Sequence, residues 1–232
     1  MRFHLPALVL TLALGSAQAH AATRNFGITD FDRILIEGPY RVTLSTGIAP
    51  FASASGNATA LDRVVVEVQG RTLRVHISRS SWGGYPGQDP GPVEVNVGTH
   101  DLNQASLTGS GTLAIDKIKG LSFNLSVQGS GLAKIGQADV GQLQVSVAGT
   151  GGAIVSGTAP KLTATMRGTS SLDASGLTIK DATLSADGAA TVKATVTNSA
   201  TITGSGPATF ELAGNPACTS QVDGSASVNG CR

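Results

Sequence analysis

The stretch "SLTGSGTLAI" at residues 106–115 returns as "LSVQGSGLAKI" at 125–135 and as "VSVAGTGGAIV" at 145–155. Glycines that open this phrase fall at Gly109, Gly129, Gly149, Gly168, Gly188, Gly204 and Gly224, at intervals of 20, 20, 19, 20, 16 and 20 residues. A period near 20 is too short for helical-pair repeats, and no fixed Leu and Asn frame of a leucine-rich repeat is present. The residues between the glycines alternate as half-buried strands do, as in Leu143, Val145 and Val147, or Leu121, Phe123, Leu125 and Val127. This pattern predicts an all-β chain wound as a parallel β-helix, a β-solenoid with about 20 residues per coil.

Aligning the repeats gives columns. Two residues before each glycine stand Leu107, Val127, Val147, Met166, Ala186, Ile202 and Val222, all apolar. Six residues after it stand Ile115, Ile135, Val155, Ala174, Ala194 and Phe210, a second apolar column that fails only at Gly230. Both are expected to point inward and to stack at about 4.8 Å per rung. Each marker glycine is followed by a small residue, such as Ser110, Ser130 or Thr150, which suits a tight corner with a positive φ at the glycine. A phosphate-binding loop is excluded: Ala114 and Lys134 stand where the third glycine of G-x-G-x-x-G belongs, and no helical period follows. Charges share the columns, with Asp173 beside Lys193 and Arg167 beside Asp187, so each is expected opposite its counter-ion.

Composition agrees with strands and turns. Charged residues make up 13%, aromatics 4%, and there are 30 glycines. The net charge of +1 offers no basic field for nucleic acid, which is not an expected partner. Residues 1–21 read as a secretory signal peptide, with Arg2 ahead of an apolar run from Leu5 to Leu14 and A-x-A sites ending at Ala19 and Ala21. Residues 22–232 are then one exported domain, and no later run is long and apolar enough to span a bilayer. Cys218 and Cys231 are expected to form a disulfide that closes a C-terminal cap.

Residues 30–78 read as about five further strands forming the first rungs, with Gly70 in a hairpin turn. The pattern breaks at 79–92, "RSSWGGYPGQDPGP", which reads as a loop insertion. Its aromatics, Trp82 and Tyr85, are the candidate ligand-binding residues; the alternative is that Trp82 packs back over the solenoid wall.

No catalytic residues, metal ligands or cofactor motifs stand out. The acids Asp116, Asp139, Asp173, Asp181, Asp187, Glu211 and Asp223 never share a column on adjacent rungs, so they form no calcium cluster of the kind a polysaccharide lyase uses. His76 and His100 read as solvated surface residues, and no serine sits in a nucleophile elbow.

The order "FDRILIEGPYRVTLSTG", then "LDRVVVEVQGRTLRVHIS", then "VEVNVGTHDLNQASLTGSGTLAI" resembles the GIN-domain family of autotransporter adhesin heads, across roughly residues 30–230. The resemblance implies a right-handed β-helix of a bacterial exported protein and an adhesin-like role. The expected function is a non-catalytic binding module for envelope polysaccharide or a protein partner, in the periplasm or at the cell surface. Two alternatives are a lyase-like carbohydrate-active enzyme and a structural protein that self-assembles as a homo-oligomer.

Overall fold

A computed structural model of the chain describes residues 22–78 and 91–232. The signal-peptide reading of 1–21 and both loop aromatics, Trp82 and Tyr85, lie outside the described residues. The strands are β1 (Ala22–Phe26), β2 (Arg33–Glu37), β3 (Arg41–Thr46), β4 (Phe51–Gly56), β5 (Val64–Gln69), β6 (Thr72–Ile77), β7 (Glu94–Thr99) and β8 (Gln104–Gly109). They continue as β9 (Thr112–Gly129), β10 (Leu132–Gly149), β11 (Gly152–Thr158), β12 (Lys161–Gly168), β13 (Ser171–Asp187), β14 (Thr191–Ser205), β15 (Thr209–Ala213), β16 (Ala217–Val222) and β17 (Ser227–Asn229). All belong to one sheet wound on itself, a β-solenoid whose coils repeat about every 20 residues.

The two-residue alternation of apolar side chains drives the winding. Along β10 the inward positions Ala133, Ile135, Ala138, Val140, Leu143, Val145 and Val147 are buried, while the remaining residues are exposed or half-buried. Each rung stacks in register on the next, Val127 on Val147 and Val147 on Met166, so the buried side chains merge into one continuous core. Burying one such aliphatic side chain stabilises by about 1.5–3 kcal/mol, and a single rung has too few of them to fold alone.

Corners are made where the phrase recurs. Gly109, Gly129, Gly149, Gly168, Gly188 and Gly224 all have positive φ. The amides of Ser130, Thr150 and Thr169 donate to the carbonyls of Gly109, Gly129 and Gly149, so the corners stack as the strands do. A Cβ at Gly149 would lie 2.5 Å from the Gly129 carbonyl oxygen, so the approach of successive corners, as well as φ, demands glycine.

The columns differ from expectation in the last coils. Gly206, not Gly204, is the corner after Gly188, which makes the last two intervals 18 residues each. Gly204 stands in the strand, paired with Ala186 and Val222. Ile202 therefore continues the column of Leu125, Val145, Ala164 and Leu184, and Phe210 that of Ala153, Leu172 and Val192; Leu212 takes the place beside Ala194. Leu121 also departs from its predicted alternation. It is 91% exposed, because the chain turns at Gly120 (φ +152) before Phe123 re-enters the core.

The N-terminal part does supply rungs, but out of chain order. β2 lies between β6 and β8, and β3 between β7 and β9, all parallel, so the coil of β6 and β7 is stacked on the far side of the first coil. Antiparallel strands close that end: β5 pairs with β6 through the turn at Gly70, and β4 pairs with β7 and carries β1. A single helical turn, α1 (Ala58–Leu61), is capped by Asn57, whose Oδ1 accepts from the Ala60 amide at 2.7 Å. At the other end the disulfide Cys218–Cys231 is formed, tying β16 to the chain beyond β17.

Candidate functional site

The wall formed by β8, the second halves of β9, β10, β13 and β14, β12 and β16 carries two adjacent outward columns. One runs Gln104, Asn124, Gln144, Thr163, Thr183, Thr201, Thr219, and the other Ser106, Ser126, Ser146, Thr165, Ser185, Thr203, Gln221. All fourteen are hydroxyls or carboxamides, none is buried, and none hydrogen-bonds through its side chain to another described residue. Seven rungs at about 4.8 Å give a strip about 29 Å long, with the columns about 6.6 Å apart. Between Gln104, Asn124, Gln144, Ser126, Ser146, Thr163 and Thr165 it dips into a hollow of about 210 Å³.

Charge lies only beside this strip. Lys161 and Asp181 flank it on one side, and Arg167 and Asp187 on the other, each pair on successive rungs. At the β2 end it stops at Arg33, Leu35 and Glu37. On the opposite wall side chains are engaged with one another: Lys193 Nζ reaches Glu211 at 2.8 Å, and Ser175 donates to Asp173 at 2.5 Å through Oγ and 3.1 Å through its amide. Two predicted counter-ion contacts thus differ in detail. Asp173 does lie opposite Lys193 in register, yet Lys193 bonds the next acid along; Asp187 accepts from Ser205 Oγ at 2.7 Å and makes no ion pair with Arg167.

A second concavity, of about 390 Å³, opens at the corner where Thr46 and Gly47, His100 to Leu102, Lys117 to Lys119, and Gln137 and Asp139 meet. Thr46 anchors it: its amide donates to Asp116 Oδ1 at 3.0 Å and its hydroxyl to the Lys117 carbonyl at 2.9 Å. Lys119 and Asp139 stand 3.9 Å apart on the rim, both well exposed, a contact of little energy.

Asp30 accepts from Thr99 Oγ1 at 3.0 Å and lies 3.2 Å from His100 Nδ1. Partial burial acts to raise the Asp30 pKa, but the bonds from His100 and Thr99 outweigh it and hold the carboxyl below its ordinary value of 3.8. The trio does not form a nucleophile relay. In a Ser-His-Asp triad the imidazole sits between acid and hydroxyl, whereas here the carboxylate sits between imidazole and hydroxyl, and the buried Thr99 shares its one hydroxyl proton between Asp30 and the Phe31 carbonyl. The trio instead staples the segment before β2 to the end of β7. His100 is exposed at the surface, as expected, and paired with Asp30, whereas His76 is half-buried 3.4 Å from Glu67. Among the described residues no three Asp, Glu, His or Cys side chains converge as metal ligands, and no helix is long and apolar enough to cross a membrane.

The family model "Putative auto-transporter adhesin, head GIN domain" matches residues 30–216. The chain belongs to this family. Solved structures share the fold of this GIN domain at low identity. A "putative adhesin" of Bacteroides fragilis has a TM-score of 0.74 at 18% identity, over 91% of this chain and 97% of that one. A "putative lipid binding protein" of Parabacteroides distasonis has 0.66 at 20% identity, over 90% and 96%. A "putative adhesin" of Parabacteroides merdae has 0.69 at 17% identity, over 90% and 95%. No curated protein matches this GIN domain in sequence.

Neither surface was read from the sequence. The strip consists of ordinary outward strand residues whose alignment across rungs requires the register. The cleft joins segments about 70 residues apart, and nothing in the local sequence pattern signals that approach.

Proposed function

We propose that this chain is a non-catalytic, exported, adhesin-like module that binds a component of the bacterial cell envelope. The observation that carries this reading is the uncharged strip, a long row of donors and acceptors without side-chain partners among the described residues. Stability alone does not call for it, since exposed polar side chains contribute little to folding. Family membership supports an adhesin-like role, and the disulfide, a bond that forms and persists mainly in oxidising compartments, supports export. Acids such as Asp30, Asp32 and Asp62 are committed to structural pairs with His100, Arg71 and Arg24, which favours binding over catalysis.

The test is retention of envelope material on the immobilised mature protein, with carbohydrate and protein measured separately in the eluate. Enrichment of either over a denatured control supports the reading. Recovery of neither from envelope fractions overturns it. The same assay on a Trp82→Ala, Tyr85→Ala variant reports whether the loop aromatics take part.

A further inference from the structure

We infer that the partner of the uncharged strip is a neutral, hydroxyl-rich polysaccharide, laid along the solenoid axis on the two columns from Gln104 to Gln221. This rests on the binding-module reading and adds to it the surface and the ligand class.

The argument is by chemical matching. An acidic polymer or a nucleic acid needs cations, and the two columns contain none. A protein or lipid partner needs apolar or aromatic anchors, and the columns hold no aliphatic, aromatic or arginine side chain. What remains is a surface of groups that both donate and accept, hydroxyls and carboxamides, which is the chemistry a sugar hydroxyl can answer in either sense.

Geometry adds direction. Rungs repeat at about 4.8 Å, so hydroxyls and carboxamides recur at the scale of one sugar ring along the axis. The hollow flanked by Asn124, Gln144 and Thr163 gives the longer carboxamides room to close over a chain lying in it. None of these side chains bonds to another described residue, so a ligand displaces water from them without breaking contacts among those residues. Each contact is weak, and affinity accrues by repetition along the polymer.

The experiment is a binding assay of the mature protein against neutral polysaccharides (starch, cellulose, mannan) and acidic ones (alginate, polygalacturonate), repeated at low and high salt. Variants are Ser146→Glu with Thr165→Glu on the strip, and Thr112→Glu on the opposite wall; circular dichroism checks that each is folded. Expected is binding to at least one neutral polymer, changing less than about twofold between about 0.05 and about 0.5 M salt. The strip variant should lose about tenfold in affinity and the opposite-wall variant nothing, because only the former removes two hydroxyls from the strip and fills the hollow beside them with longer side chains. Binding that survives the strip variant, or that is confined to acidic polymers or to protein, overturns the inference while the broader reading stands. Absence of binding to any envelope component removes both.

Discussion

The ring of Phe210 occupies the space that a side chain at Gly204 would need: Phe210 Cε2 lies 3.0 Å from the position of a Cβ there, with Ala226 Cβ and Val222 Cγ1 each at 3.3 Å. Phe210 is fully buried, so the two residues share one site in the core. Gly204→Val, which restores an aliphatic residue to the column of Met166 and Ala186, is therefore expected to overpack the core and destabilise by about 1–3 kcal/mol. Phe210→Ala alone should cost about 3–5 kcal/mol. The double variant should be less destabilised than the two costs added, a coupling that urea denaturation of all four proteins measures.

Corner glycines separate two effects. At Gly149 (φ +110) an added Cβ meets the Gly129 carbonyl oxygen, whereas at Gly70 (φ +64) it meets nothing within 4 Å. Gly70→Ala should cost only the backbone term, about 1–2 kcal/mol. Gly149→Ala should cost clearly more, because two corners must move apart as well. Denaturation midpoints at constant slope check the order.

Acid stability follows the carboxylates. Bonds from Ser199 and Asn198 hold the Asp181 carboxyl below its ordinary value of 3.8, bonds from Ser175 do the same for Asp173, and Asp30 is lowered despite partial burial. A carboxyl whose folded pKa is depressed binds its proton more readily when unfolded, so its stabilisation is present above about pH 4 and lost as pH falls through the lowered folded values. Stability should decline below pH 4, and Asp181→Asn should flatten that decline. Thermal melts between about pH 2 and pH 6 test both.

The disulfide closes a loop spanning 13 positions between Cys218 and Cys231. Reduction, or the Cys218→Ser, Cys231→Ser variant, should lower the stability of the C-terminal rung by about 2–3 kcal/mol. Because β16 pairs only with β14 and β17 only with β15, loosening should be local. Hydrogen exchange is expected to quicken at 217–229 and to stay unchanged in β9 and β10; equal acceleration in both regions contradicts the idea.

How far the sequence could be read is clear at Gly204. A shift of one residue would turn every side chain of a strand to the other face and would have been visible in the apolar pattern. A shift of two leaves the alternation intact, so corners at Gly204 and Gly206 fit the pattern equally well, and only the volume of Phe210 beside Gly204 distinguishes them. The same reasoning covers the two neutral columns, which exist only once Gln104, Asn124 and Gln144 are known to be neighbours.

The winding itself, its coil length, its buried columns up to Gly188 and its paired cysteines followed from the chain alone, because alternation in a strand and the glycine requirement at a corner are local properties. Placement of β2 between β6 and β8, the antiparallel closure at that end, the Asp30 to His100 staple and the faces offered to a partner were decided only in three dimensions. Each of these depends on contacts between residues tens of positions apart, chosen by competition among rungs that are almost alike. Local preference is nearly the same for every rung, and so the packing of the whole stack makes the choice.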